Sequence, residues 1–282
     1  MLLEKHHMAE NEKKRIWFPD YDNPPVIEVV YGVLFRPMSK FLTPHIGLLW
    51  QKYRDEYPEC SEVAPLDPVM ERFEEPPQVS LEIANIPPLP RVWFMHKEGR
   101  GIIQVQRDRF LHNWRKTKAE DLYPRYNAVK EMYKDRLLKF TNFLDENDLG
   151  TMEALQYEMT YVNHIPQGQG WQTFGDLALL FPDFSFDGRK SRFLPEPNTL
   201  NWRTTFVLPE NAARMHVVIR NVKMRETGHP VIILELTVRG IGQDKSIEGM
   251  FTWFDLAREW IVCGFADITA ERVQREIWKR KQ

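Results

Sequence analysis

The sequence predicts an α+β fold: a curved antiparallel sheet with long helices on one face. Three observations carry it. Alternating β-branched segments recur along the chain, VIEVVYGVLF at 26–35, LQYEMTYVNHI at 155–165 and ARMHVVIRNVKM at 213–224. Two long segments place apolar residues at helical spacing. The order of strand, short helix, long loop, antiparallel strands and long helix runs twice, over 23–150 and again over 151–282. The expected architecture is therefore a duplicated unit, its halves packed as one globular body.

Residues 1–22 are polar and charged and read as a flexible arm, after which Asn23-Pro24-Pro25 bars any helix. The first strand follows at 26–35. Thr43 reads as an N-cap with Pro44 at the first helical position, opening HIGLLWQKYRDEYP, in which Ile46, Leu49, Trp50 and Tyr53 share one side. Residues 58–90, rich in Pro and acids, read as a long loop. The stretch RVWFMHKEGRGIIQVQRDRF is a hairpin whose turn takes its glycines from 97–101. Tyr123-Pro124 introduces a helix to about Leu144, striped by Tyr126, Val129, Tyr133, Leu137, Phe140 and Leu144.

The second half opens on the strand at 155–165, with Leu155, Tyr157, Met159 and Tyr161 alternating. Thr173 opens a short helix, and a Pro-rich loop spans about 182–199. Three antiparallel strands follow: TTFVL, ARMHVVIRNVKM and PVIILELTVRGI. The helix IEGMFTWFDLAREWIVCGF carries Met250, Phe251, Phe254, Ala257, Ile261 and Phe265 on one side, and a charged helix starts near Ala270. The layout resembles the duplicated fold of TATA-box-binding proteins or a helix-grip cup, a likeness of architecture that carries no DNA-binding activity with it.

At 43% hydrophobic and 28% charged the chain is a folded one, and nine Trp with seventeen Phe supply a large core. A formal net charge of -2 argues against a dedicated nucleic-acid binder. Charge is nevertheless segregated, with nine acids against one base over 55–86 and thirteen bases against six acids over 91–139. Either the two segments pair in the fold, or the second presents a basic face to an acidic partner or a phosphate backbone. Cys60 and Cys263 lack metal-like spacing, no secretory signal is visible, and no apolar run approaches a membrane span. The expectation is a cytoplasmic protein without membrane contact.

Motifs of catalysis are missing: no HExxH, no Cys/His cluster, no GxxxxGK[ST], GxGxxG or GxSxG. No catalytic residue, metal or cofactor is predicted. Candidate binding residues come instead from QVQRDRFLHNWRK at 104–116 and from the polar face of the sheet. Gln104, Gln106, Arg107, Arg109, Asn113, Trp114 and Arg115 belong to the first. Asn163, Arg220, Glu235 and Arg239 join Gln104 and Gln106 on the second, where amides and charges either read a ligand or lace a solvated sheet. Trp114 serves as a packing anchor or a stacking platform. The stretch at 104–116 is expected to be a strand leaving the sheet.

The segments PPVIEVVYGVLF, HIGLLW, RVWF…GIIQVQRDRFLHNWR, YPRY and YEMTYVNHI together resemble a bacterial family of sporadic distribution and unestablished activity. The resemblance covers roughly residues 24–165 and more weakly the rest. It implies a bacterial cytosolic origin and, by association with mobile genes, phage defence or a toxin–antitoxin system. It supplies no catalytic residues.

Three functions stay open at this stage. The first is a non-catalytic binding or assembly protein for a protein partner, a second copy of itself or a nucleic acid. The second is a small-molecule sensor with a pocket between sheet and helices. The third is an enzyme of unrecognised type.

Overall fold

The computed structural model describes residues 18–67, 69–71, 73, 90–184, 193–195, 197–224 and 227–281. Its centre is a pair of long strands, β2 (Val26–Phe35) and β7 (Ala154–Pro166), in antiparallel register from Glu28 opposite Val162 to Leu34 opposite Gln156. Beyond β2 lie β6 (Arg109–Arg115), β5 (Gly101–Gln106), β4 (Arg91–Met95) and β3 (Glu59–Val63). Beyond β7 lie β10 (Pro230–Gly240), β9 (Ala213–Lys223) and β8 (Asn201–Val207). All nine strands pair antiparallel. The protein is thus α+β, built on one nine-stranded antiparallel sheet.

Helices α1 (Thr43–Gln51), α2 (Tyr126–Glu146), α3 (Leu177–Leu180), α4 (Ile247–Ile268) and α5 (Glu271–Glu276) complete the fold. The α2 and α4 stripes read from the sequence are buried, Tyr126 to Leu144 on one and Met250 to Phe265 on the other. They pack on a single sheet face. Tyr31 of β2 stacks on Tyr133 of α2 at 5.3 Å and meets Phe254 of α4 edge-on at 5.0 Å. Phe110 of β6 stacks on Phe140 at 4.8 Å. Rings spend little side-chain entropy for the area they bury, which suits a core joining one sheet face to two helices.

Four sequence expectations are corrected. Residues 59–63 are not loop but β3, an edge strand held by its ladder to β4. The stretch at 104–116 does not leave the sheet: it turns at Arg107-Asp108 and returns as β6, an interior strand paired with both β5 and β2. The N-cap of α1 is Leu42, whose N–H donates to the His45 ring, so Thr43 is already helical. The charged helix expected from about Ala270 is present as Glu271–Glu276, and after it the chain forms β11 (Arg280–Lys281) against β1 (Asp20–Tyr21). Residues 20–21 therefore belong to a strand rather than a free arm, with Tyr21 buried and donating to Gln274 at 3.1 Å. Residues 1–17 of that expected arm, and 74–89 of the expected loop, lie outside the described residues.

Several buried polar atoms, among them the hydroxyls of Tyr31, Tyr133 and Tyr157, have no hydrogen-bond partner among the described residues. An unpaired buried hydroxyl costs about 1–3 kcal/mol. Tyr133→Phe is expected to raise the unfolding free energy by about 1 kcal/mol in urea titration. A loss of stability instead would show that the hydroxyl is satisfied in solution.

Candidate functional site: a tyrosine-lined cleft

Directly opposed residues of an antiparallel sheet share a face. The registers therefore sort the candidate residues. Gln104, Gln106, Arg109, Asn113, Arg115, Arg220, Glu235 and Arg239 lie on the face away from the helices. Asn163 does not: it opposes Leu234 and lies beside Met159 and Tyr161 on the helix face, where its amide donates to the Leu234 carbonyl at 3.1 Å. Trp114 is on the helix face too, packed at 5.2 Å against Tyr123. Arg107 sits in the β5–β6 turn.

The outer face is largely bonded to itself. Gln104 accepts from Arg91 and from the Trp93 indole and donates to Asn113, which donates to Glu28, a ladder across four strands. Arg115 donates to the Gly99 carbonyl, Arg109 pairs with Asp108, and Arg239 pairs with Glu158. A segment crosses this face. Gln106 exchanges two bonds with the Leu66 backbone at 3.0 and 3.1 Å. Gln156 accepts from Glu71 N–H and donates to the Val69 carbonyl. The amides thus act as substitutes for a neighbouring strand. Glu71 then reaches Arg214 at 3.1 Å and His216 at 2.6 Å.

Charge segregation is partly resolved in the same way. Glu56, from the acidic segment, pairs with Arg136 and Lys139 of the basic one, while Arg125 pairs with Asp20 and Lys130 with Asp255.

The helix face holds the most distinctive chemistry. Where β2 begins and β7 nears its end, a cleft of about 100 Å³ opens between the sheet, the start of α2 and the middle of α4. Its walls are apolar, among them Pro24, Val26, Leu236, Ile261 and Phe265. Tyr123, Tyr126, Tyr161, Asn163, Arg125 and Arg258 supply the polar lining. Tyr123 and Tyr161 share a hydrogen bond of 2.9 Å, and Tyr126 donates to Asp255 at 2.6 Å.

Burial pushes the Tyr123 phenol up to about 12 and raises those of Tyr31, Tyr126 and Tyr161 well above the ordinary tyrosine value, while the Arg258 guanidinium pulls all four back. One cation therefore lies within electrostatic reach of four neutral phenols. The Arg258 guanidinium lies over two rings, Phe18 at 4.6 Å and Tyr126 at 4.7 Å, and has no hydrogen bond or ion pair among the described residues. Its donors are therefore left to water or to a ligand.

Sequence reasoning missed Arg258 and the grouping of Tyr31, Tyr123, Tyr126 and Tyr161. The tyrosines of β2, β7 and α2 read as core positions, and no spacing linked them to α4. Among the described residues no group of three or more His, Cys, Asp or Glu is placed to hold a metal ion, and no helix is long and apolar enough to cross a membrane. No protein-family model, curated protein or solved structure matches the chain.

Proposed function

We propose that the protein is a small-molecule-binding sensor whose ligand is a small organic anion, a short-chain or single-ring carboxylate, held in the cleft between sheet and helices. The observation that carries this reading is Arg258, a half-buried cation over the Tyr126 ring and within electrostatic reach of the Tyr161 phenol, with no carboxylate partner among the described residues. A guanidinium and the one phenol proton that the Tyr123–Tyr161 hydrogen bond leaves free suit a carboxylate, and the apolar walls suit a small hydrocarbon body. At about 100 Å³ the cleft is smaller than the cavity of about 150 Å³ that encloses a benzene ring, but it is open to the surface, so the ligand enters it only in part. The outer sheet face lends less to the partner-binding alternative, because Gln104, Gln106 and Asn113 are buried and bonded to neighbours.

The reading is compatible with a duplicated, helix-grip-like unit. β2 and β7 pair with each other, and each also pairs with the last strand of the antiparallel run that follows it, β6 and β10 respectively. An internal two-fold between β2 and β7 accounts for that order, and the cleft lies beside it.

Calorimetric titration with benzoate and hexanoate, and with benzyl alcohol as a neutral control, tests the proposal. Both carboxylates are expected to bind and the alcohol to bind far more weakly. Arg258→Gln is expected to weaken carboxylate binding about ten- to a hundred-fold, the value of a charged hydrogen bond. Absence of carboxylate binding up to about 10 mM, or equal affinity in a folded Arg258→Gln variant, would overturn it.

A further inference from the structure

A second cleft, of about 300 Å³, opens on the same face of the sheet on the far side of the segment joining β6 to α2. Alternate residues of that segment serve different clefts: Leu122 and Pro124 line this one, Tyr123 and Arg125 the tyrosine cleft. Trp114 and Met132 add apolar wall, and Tyr57, His112 and Arg136 supply polar groups.

Those three are chained together. The Arg136 Nε–H donates to the Tyr57 hydroxyl oxygen at 3.3 Å, and that hydroxyl lies 3.3 Å from His112 Nε2. Gly101 permits this approach, since a side chain there would begin 3.2 Å from the Tyr57 oxygen. His112 is 1% exposed, and its Nδ1 has no partner among the described residues. Two proton placements are available. If Tyr57 donates to Nε2, the ring proton sits on Nδ1 and lacks an acceptor. If Nε2–H donates to Tyr57, the phenol proton lacks one. Either way a buried donor has no acceptor among the described residues, a cost that an acceptor on a ligand would relieve.

The cations of the cleft are balanced. Arg136 pairs with Glu56 at 2.5 Å and Asp135 at 2.8 Å, and Arg100 pairs with Glu98 and lies 3.8 Å from Asp121. Burial drives His112 down to about 3, with Arg136 and His96 adding to the effect, and burial also lowers His96. Both rings are therefore neutral near pH 7. A ligand here meets a flat apolar wall, an unused donor and no uncompensated charge.

We propose that this cleft is a second ligand site, which takes a neutral planar molecule bearing a ring nitrogen or an amide carbonyl, the chemistry of a nucleobase or nicotinamide. The acceptor of the ligand meets the Tyr57–His112 pair, and its ring lies between Trp114 and Met132. This site stands apart from the carboxylate reading and survives the failure of that reading.

The test uses the full chain, with adenine and nicotinamide as probes and benzoate titrated separately. Histidine side-chain nitrogen resonances follow the His112 tautomer directly. Either probe is expected to shift the His112 nitrogens saturably, and Tyr57→Phe is expected to weaken that binding about tenfold while benzoate affinity is retained. If neither probe moves the His112 resonances of the wild-type protein up to its solubility limit, the proposal fails. It fails also if a folded Tyr57→Phe variant binds them unchanged.

Discussion

Phe254→Ala is expected to lower the unfolding free energy by about 3–5 kcal/mol, the cost of emptying a fully enclosed aromatic site. Phe254 is 0% exposed and holds α4 to everything beneath and beside it. Its ring meets Tyr31 of β2 at 5.0 Å, Tyr133 of α2 at 5.6 Å and Tyr157 of β7 at 6.0 Å. Because those partners come from both central strands and from the other long helix, the cavity has rigid walls and little means of collapse. Phe254→Leu, which keeps most of the volume, is expected to lose only about 1–2 kcal/mol. Equilibrium urea unfolding measures both. A cost below about 1 kcal/mol for the alanine variant would mean that the layers do not meet at this ring. Far-ultraviolet and tryptophan signals are expected to fall together, since the sheet runs unbroken from β3 to β8.

Much of this core was readable from period alone. β2 and β10 are long β-branched runs, and the α2 and α4 stripes repeat at three and four residues, so burial on one face leaves a visible trace. The failures have physical causes. ECSEV carries almost no apolar alternation because β3 is an edge strand, held by backbone bonds to β4 that composition does not report. The turn at Arg107-Asp108 lacks Gly, Pro and Asn and offers Asp108 alone, a weak signal among charged neighbours. Asn163 was placed by polarity, although its parity with Tyr157, Met159 and Tyr161 assigns it to the helix face. The tyrosine cleft was the least legible feature. Tyr126, Tyr161 and Arg258 come from three elements, α2, β7 and α4, far apart in the chain. Each reads locally as ordinary core or helix surface, and only the tertiary fold aims them at one point.

Glu71→Gln is expected to remove about 2 kcal/mol of stability near pH 7 and to flatten the acid limb of the stability curve. The Glu71 side chain is 3% exposed, and its oxygens face His216 at 2.6 Å and Arg214 at 3.1 Å. Burial alone pushes this carboxyl up. The hydrogen bonds of His216 and Arg214 and the charges of His216 and Arg239 outweigh it, and the net displacement is downward from the ordinary glutamate value. The sign follows from linkage. A carboxyl depressed in the folded state stabilises fully above its unfolded value of about 4.3, and that contribution drains away as pH falls toward the folded value. Stability of the wild type should thus drop on acidification below about pH 4.5, and the variant should drop less, the two curves converging at the acid end. Parallel curves with an undiminished gap at low pH would show that Glu71 acts by shape and not by charge. The same carboxylate fixes the end of the segment whose backbone Gln106 and Gln156 grip. Hydrogen exchange at the Leu66 and Glu71 amides should therefore accelerate in Glu71→Gln, while the amides of β2 and β7, held in the centre of the sheet, keep their protection relative to global unfolding.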